Sequence, residues 1–235
     1  MQQASLYTAD DGIKAYSKVG LSFYDPFVIR GLAPCVWNCS PADILGHYRE
    51  HVTANHADIG VGTGYFLDRC DFGQREPRIA LIDLQPASLA HATRRLARYR
   101  PEIYVRDART PLVGIPAFDS ICLGGILHCL PGYGLQQKSA ALRALKPIAH
   151  PGTKVFGYTL VSDHVRENWR RTLTHCCLRR MRVVNFANDR IDDLAYILRA
   201  QFIDSKVEPV GCFAFFSAVV PDTFPDHSPT QRLHV

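Results

Sequence analysis

The sequence predicts an α/β domain built on a mostly parallel sheet with helices on both faces. Near-continuous apolar runs such as "RIALIDL" (78–84) and "SICLGG" (120–125) have the composition of strands buried on both sides. These runs alternate with segments of helical periodicity. The first strand leads at once into a glycine-rich turn, "DIGVGTG" (58–64), at the place where such sheets bind ligands.

The elements follow in order. Residues 1–53 read as a mainly helical N-terminal cap, in which "SPADILGHYREHV" has Ser40 as N-cap and Pro41 in the first turn. The main domain spans 54–220. "ANHADIG" enters strand one, and "GTGYFLDRC" (62–70) starts a helix. "RIALIDL" is strand two, ending in an acid; "PASLAHATRRLARYR" (86–100) places Leu89, Ala92, Leu96 and Tyr99 at helical spacing. "EIYVRDA" (102–108) and "AFDSICLGG" (117–125) are strands three and four. "QQKSAALRALKPIA" (136–149) reads as one amphipathic helix closed by Pro151 and Gly152, and "TKVFGYTLV" (153–161) as strand five. After a helical insertion at about 163–202, "DSKVEPVGCFAFFSAVV" (204–220) reads as two strands meeting at Gly211, the second a buried strand in preference to a dimer edge. Residues 221–235 read as a tail.

With 235 residues, 47% hydrophobic and 21% charged, the chain has room for one well-buried domain. Met1 is followed by polar residues and no apolar run approaches ~20 residues, so the expectation is a cytoplasmic protein without a membrane span. Eight cysteines occur without a Cys-x-x-Cys pair and read as buried free thiols, with no metal site expected. The basic stretches at 92–100 and 166–182 read as solvated helix faces, and nucleic acid is not the expected partner.

The chemistry starts at the turn. Dinucleotide sites want Gly-x-Gly-x-x-Gly, but here the order is Gly60-x-Gly62-x-Gly64. Asp58, two residues earlier, repels a pyrophosphate and favours a cationic amino group. Asp83 ends the next strand 19 residues beyond Gly64 (83 − 64), the offset of an acid that holds ribose hydroxyls. Asp107 ends strand three, and "LGGILHCLPG" follows strand four. The implied ligand carries ribose and an ammonium group and no phosphate.

In this order and spacing, "DIGVGTG", "IDL", "RDA" and "FDSICLGGILHCLPG" resemble the class I S-adenosylmethionine-dependent methyltransferases. The "YD" at Tyr24, the "W-x-C" at Trp37 and "FGYTL" are similar to the small-molecule enzymes of secondary metabolism. The resemblance implies a Rossmann-like sheet of seven strands with an antiparallel C-terminal strand. It implies cofactor contacts from Tyr24, Asp58, Gly60, Gly62, Gly64, Asp83, Leu84, Asp107, Ala108, Leu123 and Gly124. Asp83 would hold the ribose, Leu84 would pack on adenine, and Asp107 with the Ala108 amide would meet its edge.

The acceptor side follows less directly. Tyr16, Phe23, Tyr24 and Trp37 form either a lid over the sulfonium or an aromatic core under the helices. Trp169 and Arg171 of the insertion are candidates for the acceptor pocket, as are Tyr16, Trp37 and His128. His128 is also the candidate general base, because a histidine stands at this place in related enzymes and its ordinary pKa of about 6.5 suits the task. The Asn/Asp-Pro-Pro-Tyr/Phe segment of base-amino methyltransferases is missing after strand four. The reading is methyl transfer to an O, N or C nucleophile of a small molecule, by a monomer or homodimer. Its competitors are an RNA or protein methyltransferase, and a fold of this type with changed chemistry such as cyclisation.

Overall fold

A computed structural model describes residues 25–73, 76–163, 169–181 and 184–223. Seven strands form one sheet: β1 (Asn55–Ile59), β2 (Arg78–Asp83), β3 (Glu102–Val105), β4 (Phe118–Gly124), β5 (Ala149–Leu160), β6 (Ile203–Val210) and β7 (Phe213–Val219). Their spatial order is β3-β2-β1-β4-β5-β7-β6. β1 to β5 pair in parallel, while β7 runs antiparallel to both β5 and β6. β7 is therefore an internal strand, and the order reverses beside β1, where the chain steps from β3 across to β4.

Alternation along each strand divides the core into two layers. Ile79 and Leu81 face one layer, with Ile44 and Tyr48 of α1 (Pro41–His51) and Leu89 of α2 (Pro86–Arg95). Ala80 and Ile82 face the other, with Leu142 of the single turn α4 (Ala140–Arg143), which follows α3 (Leu135–Lys138). Helix α5 (Trp169–Arg180) precedes α6 (Ile191–Gln201), whose Leu194, Ile197 and Leu198 are buried in that second layer. Half of the expected insertion is thus a crossover helix of the core. Among the described residues no helix is long and apolar enough to cross a membrane.

Ser40 caps α1 as expected: its hydroxyl accepts the Asp43 N–H at 3.2 Å, and the Asp43 carboxylate accepts the Ser40 N–H at 2.7 Å. Three expectations differ from the fold. The helix after Gly64 is only a 3₁₀ turn, Leu67–Arg69. The chain turns away at Cys70–Gly73, where the Asp71 carboxylate accepts the Gly73 N–H. The segment 136–149 is broken into α3, α4 and a 3₁₀ turn, because the Ser139 hydroxyl bonds back to the Gln136 carbonyl and Pro147 has no N–H to give. Pro151 and Gly152 lie inside β5 at an irregularity, where the His150 N–H bonds to the Thr153 hydroxyl and Gly152 to Val220.

Of the eight cysteines, all free, Cys39, Cys70, Cys122 and Cys212 are buried as expected. Cys35, Cys176 and Cys177 are exposed, since they sit on solvent-facing turns of helices and not in strands.

Candidate active site

Two adjoining cavities open beside the carboxyl ends of the parallel strands. The first, about 1090 Å³ and open to solvent, is walled by the loops after β1, β2, β3 and β4. The second, about 620 Å³, lies between β5, β7, α5 and the π-helical segment Asp25–Leu32. Ile29, Phe66, Gly125, Cys129 and Tyr158 line both, so a ligand in one meets a ligand in the other.

The first cavity gathers most of the expected cofactor residues: Asp58, Gly60, Gly62, Gly64, Asp83, Leu84, Asp107, Ala108 and Gly124. Gly60, Gly62 and Gly64 have φ of +74°, +51° and +70°, which side-chain-bearing residues rarely adopt. A Cβ on Gly60 would also come within 2.8 Å of Ile126. The turn is thereby held as a bare backbone floor. Asp58 is 2% exposed; its Oδ2 is 3.5 Å from the Tyr48 hydroxyl and its Oδ1 has no partner. Burial raises its pKa to about 7, the Tyr48 hydrogen bond opposes this, and the charge of Asp83 adds to it. An unsatisfied buried carboxylate suits a cationic ligand group.

Asp83 ends β2 and accepts the Gln85 N–H at 2.8 Å. Burial raises its pKa to about 6, against the amides of Gln85, Gly62 and Val61. Leu84, 38% exposed, offers an apolar face beside it. Asp107 lies two residues beyond the end of β3, and its carboxylate is held by Arg109 through Nε at 3.0 Å and Nη2 at 2.6 Å. That bond lowers its pKa. A ligand at Asp107 therefore meets a carboxylate already engaged by a guanidinium, which the sequence reading missed.

Other expectations meet a different placement. Leu123 is fully buried in the core and does not line the cavity; the next residue, Gly124, does. Trp169 is 73% exposed and lines neither cavity, because it begins α5 on the solvent side. Arg171 is buried and gives its Nε–H to the Val36 carbonyl at 3.0 Å, so it fastens α5 to the N-terminal segment and lines neither cavity. Tyr16, Phe23 and Tyr24 lie outside the described residues.

Trp37 and His128 do line the second cavity. Trp37 is buried, stands edge-on to Phe213 at 5.6 Å and donates to His175 Nε2 at 3.2 Å. His128 Nδ1 accepts the Leu160 backbone N–H at 3.1 Å, and burial lowers its pKa to about 3, aided by the Lys138 charge. The neutral ring is therefore the resting form of His128 in the unliganded protein.

One network escaped the sequence reading. The Asp25 carboxylate accepts from the Thr63 hydroxyl and from Arg95 Nη2, each at 2.6 Å, while Arg95 Nη1 bonds to the Thr63 carbonyl. It ties the π-helical segment to the glycine turn. The residue after the quoted tyrosine of "YD" was its only trace in the sequence. Among the described residues, His47, Glu50 and His51 could jointly hold a cation, but they sit at the end of α1, away from both cavities, and His47 Nε2 is 3.0 Å from the Phe216 carbonyl.

Comparison with known proteins shows the family and the fold. A methyltransferase domain family matches residues 57–155. The chain is 37% identical over 213 residues to demethylluteothin O-methyltransferase of Streptomyces thioluteus, covering 90% of this chain and 92% of that one. It is 28% identical over 219 residues to the physcion biosynthesis cluster O-methyltransferase of Aspergillus chevalieri, covering 92% and 98%. Among solved structures, the S-adenosylhomocysteine complex of DhpI shares the fold with a TM-score of 0.64 at 16% identity, covering 92% of this chain and 98% of that one. An O-methyltransferase from neocarzinostatin biosynthesis, in complex with S-adenosylmethionine and 2-hydroxy-5-methyl naphthoic acid, shares it with a TM-score of 0.59 at 16% identity, over 87% and 58%. The chain belongs to the class I S-adenosylmethionine-dependent methyltransferases, in their small-molecule branch.

Proposed function

We propose that this enzyme methylates a hydroxyl oxygen of an apolar, ring-shaped natural product held in the second cavity. The observation that carries this is the character of that cavity: Val28, Leu32, Ala33, Ile44, Leu178 and Val184 wall it, and no carboxylate or cationic side chain lines it among the described residues. Such a wall rejects charged polymers and rewards apolar area at roughly 25 cal/mol per Å². The names of the two relatives above, both O-methyltransferases, support oxygen as the target.

The residues present fit S-adenosylmethionine in the first cavity. It supplies a methyl group already activated on sulfur. The chain's own work is to bind, orient and exclude water. Asp58 would draw the ammonium group, Asp83 would accept from the ribose hydroxyls, and Leu84 and Ala108 would flank the adenine. The Asp25–Thr63–Arg95 network keeps Ile29 at the boundary between the cavities.

The test is an acceptor screen with purified protein and S-adenosylmethionine, reading S-adenosylhomocysteine and methylated product together by mass spectrometry. Methyl ethers from hydroxylated rings support the reading. Product only from RNA or protein, with affinity that falls steeply with salt, would replace it. Cofactor binding with no methylated product from any class would point to changed chemistry.

A further inference from the structure

We propose that His128 acts as a hydrogen-bond donor, through Nε2–H, to an acceptor oxygen that enters the site already ionised. The enzyme is then selective for acidic hydroxyls, meaning enols of vinylogous acids and phenols bearing electron-withdrawing groups, over ordinary phenols. This deepens the function proposed above and rests on the second cavity being the acceptor site.

The tautomer follows from one bond. The Leu160 backbone N–H can only donate, and it donates to His128 Nδ1 at 3.1 Å. Nδ1 therefore carries no proton, and the neutral ring carries its proton on Nε2. Thr159 Oγ1 lies 3.3 Å from the same nitrogen, and a hydroxyl there serves either tautomer, so the Leu160 N–H alone sets the choice. A base acting through Nε2 would need the opposite tautomer, which sets two N–H groups against each other.

The surroundings exclude the imidazolium as well. The ring is 8% exposed and stands edge-on to Phe213. Lys138 lies nearby in a fully buried ion pair, its Nζ 2.6 Å from Asp189 Oδ2. Among the described residues these two charges and the neighbouring Cys129 and Tyr158 are the titratable groups around His128. Burial and the Lys138 charge hold the imidazole neutral far below pH 7.

Among the described residues nothing else that lines the cavity replaces it as a base. Trp37 gives its indole N–H to His175, and the Cys129 thiol is 3.6 Å from the Gly125 carbonyl. Tyr158 is a phenol. With no proton acceptor among the described lining residues, on this proposal the acceptor loses its proton to solvent before it binds. The balance is then complete. The acceptor oxyanion forms the new C–O bond as the methyl–sulfur bond breaks, the bonding pair stays on sulfur, and the two opposite charges cancel. The Nε2–H holds the oxyanion in line until that happens.

Two measurements test this. The first is ¹⁵N NMR of the histidine-labelled apoprotein between pH 5.5 and 8, with the His128 signals assigned from the His128→Gln spectrum. The expected result is a bare Nδ1 and a protonated Nε2 that do not titrate; a protonated Nδ1, or a ring that titrates in this range, overturns the proposal. The second is turnover of 4-hydroxy-6-methylpyran-2-one, an acidic enol, against 3-methylphenol, a weakly acidic phenol of the same size. The enol is expected to be the better substrate by kcat/KM at pH 7, with no loss of rate from an enzymic base between pH 6 and 8. Glutamine reproduces the donor, its oxygen accepting from Leu160 and its N–H facing the acceptor, so His128→Gln should keep kcat/KM within about fivefold. His128→Leu should lose roughly 10- to 100-fold, the worth of a hydrogen bond to a charged group. A glutamine variant as impaired as the leucine variant, or preference for the phenol, overturns the inference while the acceptor site stands. If neither probe is methylated, the reading of the second cavity as a hydroxyl-acceptor site fails together with this one.

Discussion

The first cavity, proposed for the cofactor, takes most of its wall from four strand ends within residues 58–131, with Ile29, Tyr48 and Tyr158 completing it, whereas the second, proposed for the acceptor, draws its wall from parts of the chain as distant as Val28 and Phe213. The first carries three aspartates and two arginines on its lining; the second carries none of either among the described residues. The contrast teaches how this fold divides labour. A ligand with fixed polar groups is held by short loops on a rigid sheet. A variable apolar ligand is held by packing between elements that can be exchanged without touching the sheet.

The largest expected effect attacks the polar side. Asp83→Ala should weaken S-adenosylhomocysteine binding by roughly 100-fold, the loss of two hydrogen bonds to a charged acceptor, in calorimetric titration. Its circular dichroism and its affinity for an acceptor analogue should stay as in the parent. Loss of both affinities together would show that the cavities are not separable.

Next comes a change that should damage the apolar side first. Gly211 joins β6 to β7 with φ +58°, and a Cβ there would overlap the carbonyl oxygens of Trp37 and Asn38. Gly211→Ala should lower stability by on the order of 2–3 kcal/mol, read by thermal melting. At low temperature it should raise KM for the acceptor more than it weakens S-adenosylhomocysteine binding.

A smaller effect appears as pH dependence. Burial raises the Asp58 pKa to about 7. In the unliganded protein the folded state therefore holds this proton more tightly than the unfolded chain. The Asp58 contribution to stability is greatest in acid and is lost as pH rises from about 4 to about 7. The ionised form attracts the ammonium group, so affinity for S-adenosylhomocysteine should rise several-fold between pH 6 and 8, with proton release on binding below pH 7. Asp58→Asn should flatten that profile and abolish its share of the proton release, measured by titration in buffers of different ionisation enthalpy.

The smallest expected effect is Trp169→Ala. An exposed side chain away from both cavities should change stability by less than about 0.5 kcal/mol and leave kcat/KM unchanged. A tenfold loss in kcat/KM would place acceptor contacts outside the second cavity.

The same contrast explains what the sequence disclosed. Asp58, the glycine turn, Asp83 and Gly124 were legible because each stands at a strand end, and strand ends follow from apolar periodicity. Arg109 was not, because its role depends on a turn that folds its guanidinium back onto Asp107. Leu123 and Gly124 differ by one step of strand alternation, which sends one side chain into the core. Trp169 and Arg171 were assigned from their place in the inserted segment; the facing of α5, set by what it packs on, put one in solvent and the other on a backbone carbonyl. The Asp25 network joins residues 25, 63 and 95, a separation that no local pattern records.

The hairpin at Gly211 also bears on the order in which the protein becomes an enzyme. The Cys212 N–H bonds to the Trp37 carbonyl, and Phe213 supplies the ring against which Trp37 rests. During synthesis, every strand of the cofactor half leaves the ribosome well before residue 211 is made. The nascent chain can therefore assemble its cofactor floor early, while the acceptor chamber waits for nearly the last strand to be translated. Chains cut short before that strand would lack Phe213, and with it one wall of the second cavity.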